Sequence, residues 1–73
     1  MEIKPLTLQE VEKLTTAEII QKSLEIAKAR NFHGATIKRI QMVEEETWNV
    51  EDLKDFLMNP MMDCNVLLWN LTT

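Results

Sequence analysis

Glycine occurs once in this 73-residue chain, proline twice, cysteine once, histidine once and tyrosine never. Each scarcity closes off a class of protein. One glycine cannot build a phosphate-cradling loop, which needs several backbone positions free of Cβ. So little Gly and Pro leaves few tight turns, which favours helices over a series of short strands. The single Cys64 excludes an intramolecular disulfide and a cysteine-based zinc site, and it reads as a small buried apolar residue. No apolar run approaches the ~20 residues of a membrane-spanning helix. Met1-Glu2-Ile3-Lys4-Pro5 lacks the apolar stretch of a secretory signal, so a cytoplasmic location with no membrane contact is expected.

Catalytic equipment is equally sparse. His33 follows an aromatic residue and precedes Gly34, and no Ser, Cys or carboxylate is placed by sequence to form a triad with it. Glu44-Glu45-Glu46 cannot converge on one ion, because neighbouring helix positions point about 100° apart, and the run reads as a solvated face. The expectation is a protein that is not an enzyme, with no catalytic residues, no metal and no cofactor.

What remains is a short, acidic chain of ordinary hydrophobic content. It has 45% hydrophobic residues and a formal net charge of −4. That is too apolar for disorder. It is also the wrong sign for coating nucleic acid or an anionic surface. The charge is uneven. In residues 21–43, Lys22, Lys28, Arg30, Lys38 and Arg39 oppose only Glu25; in residues 44–73, Glu44, Glu45, Glu46, Glu51, Asp52, Asp55 and Asp63 oppose only Lys54. A basic middle joined to an acidic end helps orient a partner.

Spacing predicts a single all-α domain over residues 1–73, a compact bundle of four to five short helices. Thr7 with Glu10 has the capping-box interval and opens a helix over 8–14. Thr15 or Thr16 restarts the chain, and a helix over 17–30 turns Ala17, Ile20, Leu24 and Ala27 inward, with Ile19 and Ile26 flanking. Gly34 is the residue suited to a left-handed turn after it. Residues 35–48 fit a helix whose apolar arc is Ile37, Ile40, Val43 and Trp48. Asn49 is the expected cap of a helix over 50–58. Asn59 and Pro60 are the expected cap and first residue of a last helix over 60–71. The alternative is an α+β fold with a small sheet from residues 35–43 and 64–71.

The final fifteen residues carry the strongest signal. Met61, Met62, Cys64, Val66, Leu67, Leu68, Trp69 and Leu71 share that stretch with one charge, Asp63. On a helical wheel they cover nearly the whole circumference, so the segment belongs in a core or against another chain. The reading that follows is a non-enzymatic, acidic protein-binding module: a regulator, inhibitor or assembly factor. Its candidate contact residues are Trp48, Met61, Met62, Leu68 and Trp69, its partner is a protein, and a homodimer through residues 60–71 is expected. An acidic nucleic-acid mimic using Glu44–Glu46, Glu51, Asp52 and Asp55 belongs to the same class.

A second reading rests on residues 26–40. Ile26-Ala27, Asn31-Phe32 and Thr36-Ile37 fall as the small, turn and core positions do in a helix-turn-helix DNA-binding core, which this segment resembles. The resemblance implies a dimeric transcriptional regulator, with Lys28, Lys38 and Arg39 at phosphates and His33 at a base edge. Arg30 stands where that family has an apolar residue, and Gly34 and Ala35 stand where base-reading side chains belong. DNA binding therefore ranks second.

Overall fold

The computed structural model describes residues 3–44 and 48–72. They form five α-helices and no strand: α1 (Leu8–Glu12), α2 (Thr16–Ala29), α3 (Gly34–Gln41), α4 (Trp48–Met58) and α5 (Cys64–Thr72). The fold is the all-α bundle. The two segments of the alternative sheet are helical, because Ile37 and Ile40, like Leu67 and Leu71, recur at helical spacing rather than alternating.

Two capping boxes start the chain. The Thr7 amide donates to Glu10 Oε1 at 3.1 Å, and the Glu10 amide donates to Thr7 Oγ1 at 3.2 Å. Thr15 and Glu18 repeat the exchange at 3.1 and 3.2 Å. Each box satisfies two amides that the first helical turn leaves without partners. The box favours the ionised form of Glu18, whose pKa is lowered, chiefly by the Thr15 backbone bond and then by the Thr15 side chain.

Several boundaries differ from the sequence expectation, each for a local reason. The first helix stops at Glu12, where Lys13 caps it. α2 turns Ile19, Ser23 and Ala27 inward, at i, i+4 and i+8, and leaves Ala17 exposed. Asn31, at φ 56°, and not Gly34, takes the left-handed position after α2. Asn tolerates that conformation, and it frees Gly34 to begin α3. Trp48 is not on α3, which ends at Gln41; it opens α4. Asn49 is therefore inside α4 rather than its cap, and its amide donates to the Leu71 carbonyl at 3.4 Å. The last helix begins at Cys64, because Asp63 Oδ1 accepts the Asn65 amide at 2.8 Å and caps it there. Asn59–Asp63 is a connecting turn, so Met61 and Met62 precede α5.

The core is a single cluster. Val11, Ile19, Ala27, Ile40, Leu53, Phe56, Leu57 and Leu67 lie at 1% exposure or less. The rings of Phe32 and Phe56 meet at 5.7 Å, locking the turn after α2 onto α4. Arg30 ties the same region to the next turn: Nη1 donates to the Pro60 carbonyl at 2.8 Å and to the Met62 carbonyl, while the guanidinium lies 4.7 Å over the Phe32 ring. The Leu6 amide donates to the Leu57 carbonyl at 3.0 Å and pins the N-terminal arm.

α3 and α5 lie side by side and run the same way. Near their starts Thr36 Oγ1 meets Cys64 Sγ at 3.1 Å; near their ends Arg39 Nη2 donates to the Leu71 carbonyl at 3.0 Å. The molecule measures 30 × 28 × 17 Å. Helices are about 10 Å thick, so the shortest dimension holds fewer than two full layers. No described element packs on the outer sides of α3 and α5.

Candidate functional site

Two parallel helices leave a furrow between them, and here it is open. The α3–α5 groove encloses about 670 Å³ and is lined by Ala35, Lys38, Arg39 and Met42 on one side and by Asn65, Leu68, Trp69 and Thr72 on the other. Each wall supplies residues at i, i+3, i+4 and i+7, which is two successive turns of helix. Trp69 is 69% exposed, Met42 57% and Val66, on the same side of α5, 49%.

Local sequence explains this arrangement. α5 carries no charged residue. Burial of Leu67 and Leu71 fixes its rotation, and that rotation turns Asn65, Val66, Trp69 and Thr72 outward. The C-terminal segment, expected in a core or against another chain, is thus divided between core and surface. One stripe is core, whereas Trp69, singled out as a contact residue, is solvent-facing. Trp48, also singled out as a contact residue, is 90% exposed.

The groove is cationic at its edge. Lys38 is exposed and makes no hydrogen bond or ion pair among the described residues, and no acidic residue lines the walls. Arg39 is held differently, because its guanidinium is taken up by the Leu71 carbonyl at 3.0 Å. That bond satisfies a helix-end carbonyl and fixes the spacing of the two walls.

Of the residues singled out from sequence, the fold brings Lys38, Arg39, Leu68 and Trp69 together on this groove. It does not bring the others there. Met61 is exposed on the turn before α5, and Met62 packs inward against the core. Lys28 is exposed in the last turn of α2, and His33 is exposed at the start of α3, where its side chain makes no capping bond. Of the acidic run at Glu44–Glu46, positions 45 and 46 lie outside the described residues. Sequence reasoning missed Met42 as a groove wall and Arg30 as a tie between turns. Met42 follows the last residue of α3 at i+4 from Lys38, a spacing visible once the helix is placed. Nothing in the local sequence signals the carbonyls that Arg30 meets.

Among the described residues no group of His, Cys, Asp or Glu is placed to hold a metal ion, and no helix is long and apolar enough to cross a membrane. No protein-family model, curated protein or solved structure matches this chain.

Proposed function

We propose that this chain is a non-enzymatic protein-binding module, a small regulator, inhibitor or assembly factor, whose contact surface is the α3–α5 groove and the outer side of α5. One observation carries the reading: an uncharged helix presents Val66 and Trp69 to solvent beside a groove walled by Met42 and Leu68. Exposed contiguous apolar surface on a small domain marks an interaction site, and Trp and Met are enriched at such sites. A groove two turns long between parallel helices suits a third helix or a large side chain. Both a foreign protein and a second copy of the chain fit this description.

The test is a display selection of helical peptides against the immobilised chain. Peptides with an apolar stripe are expected to be enriched, and their binding to be lost with Trp69→Asp. Enrichment of nothing, or of peptides indifferent to Trp69→Asp, overturns the reading.

The helix-turn-helix reading keeps second place on a specific observation. Ala27 is fully buried, Asn31 takes the left-handed turn position and Phe32 is buried, as such a core requires. Against it, Arg39 is bound to α5, and the outward side of α3 offers Lys38 as its single charge beside Gly34, Ala35 and Gln41. That side is poor in groups able to read base edges. A sequence-selective duplex DNA shift lost in Lys28→Ala with Lys38→Ala would reverse the ranking; binding that responds to salt alone would not.

A further inference from the structure

We propose that the α3–α5 groove receives Trp48 of a second copy of this chain, reciprocally, to form a closed dimer. The inference rests on the groove being a protein-binding surface and names its occupant. Trp48 is 90% exposed, more than any other large apolar side chain described. It opens α4, and at i+4 and i+7 the same side of that helix carries Asp52 and Asp55, while Glu51, at i+3, is paired with Lys54 at 3.2 Å. The groove has the complementary character, with apolar walls, the exposed Lys38 on α3, and no acid among its lining residues. One chain thus carries an aromatic knob flanked by Asp52 and Asp55 and a socket edged by Lys38.

Their placement favours closure. Asn49, next to Trp48, donates to the Leu71 carbonyl at 3.4 Å; Arg39 holds the same carbonyl, and Thr72, the following residue, lines the groove. The start of α4 therefore lies beside the end of α5, where the groove closes. A two-fold axis passing there sends each Trp48 into the other copy's groove, so the two contacts are identical and none is left open. Tryptophan is enriched among the residues that anchor interfaces, and opposite charge around it sets orientation.

Solution mass by light scattering and sedimentation tests this on the full chain. At micromolar concentration wild type is expected at twice the chain mass. Trp48→Ala and Lys38→Glu change exposed side chains and so leave the fold intact. Each alone is expected to weaken the dimer at least about tenfold. Mixed one to one, they restore part of the association, because Trp48→Ala keeps a socket and Lys38→Glu keeps a knob. A dimer indifferent to Trp48→Ala overturns the proposal and moves the seam to α5. A wild-type monomer at all concentrations also overturns it, while peptide binding that depends on Trp69 would leave the protein-binding reading standing.

Discussion

α3 and α5 are neighbours of nearly equal length, eight and nine residues, and they bury unlike things. α3 hides a threonine completely, since Thr36 is 0% exposed, whereas α5 leaves a tryptophan 69% exposed. Intrinsic hydrophobicity would assign those positions the other way round. Position decides instead. Thr36 faces Cys64 across the helix seam and finds a partner for its hydroxyl there. Trp69 is two residues from both Leu67 and Leu71 on a 3.6-residue helix, so burying those two turns it outward. A segment with too many apolar residues for one stripe must expose some of them.

The comparison can be broken most severely on the buried stripe of α5. Leu67→Ala should lower stability by about 2–5 kcal/mol, read by urea denaturation, because the site is closed on every side. A loss below 1 kcal/mol, on the order of a surface change, would mean that α5 is not docked as described.

Arg30→Ala comes next. It strips two carbonyls in the Asn59–Asp63 turn of their donor and uncovers one side of Phe32. A loss of about 1–3 kcal/mol is expected by the same measurement.

Ser23→Ala should act in the opposite direction. Ser23 is fully buried on α2, and its Oγ makes no hydrogen bond among the described residues. Removing an unsatisfied hydroxyl and adding helix propensity should stabilise by roughly 0.5–2 kcal/mol, raising the thermal midpoint.

Trp69→Ala sharpens the contrast with Leu67. In dilute solution, below any self-association, it should change stability by no more than about 0.5 kcal/mol, since the ring is mostly in water. A loss comparable to that of Leu67→Ala would place the ring in a core.

The smallest effect is the acid response of α2. The folded-state pKa of Glu18 lies below its ordinary value, so its contribution is complete above the unfolded-state pKa. It is lost as pH falls from there through the folded value. Glu18→Gln should flatten the dependence of the thermal midpoint on pH across that acid range. An unchanged slope would show that the Thr15–Glu18 box does not hold α2 in solution.

Much of the fold was legible because its causes are local. The Thr7–Glu10 box, the restart at Thr15 or Thr16, the helical periods of α2 and α4, and a helix within residues 35–48 follow from spacing that any reader of the chain can count. The errors cluster at junctions. Asn59 and Pro60 look like a helix start, but Asp63 caps better once Arg30 draws the Pro60 and Met62 carbonyls aside. Asn49 looks like a cap, but its side chain reaches Leu71, a residue 22 positions away. The candidate site was legible in part. Lys38, Arg39, Leu68 and Trp69 were singled out separately, and nothing in one dimension joins a basic segment to an apolar one.

By itself, then, the sequence determined an all-helical chain, its two capping boxes and an apolar C-terminal segment larger than one buried stripe can use. These rest on backbone bonding and side-chain periodicity within a few residues. Only the tertiary structure decided that α3 and α5 run parallel, that Arg39 serves α5 rather than an external anion, and that Trp69 faces out. Those outcomes depend on how far each helix rotates to bury its best stripe against the others, and that rotation is set by packing among residues distant in the chain.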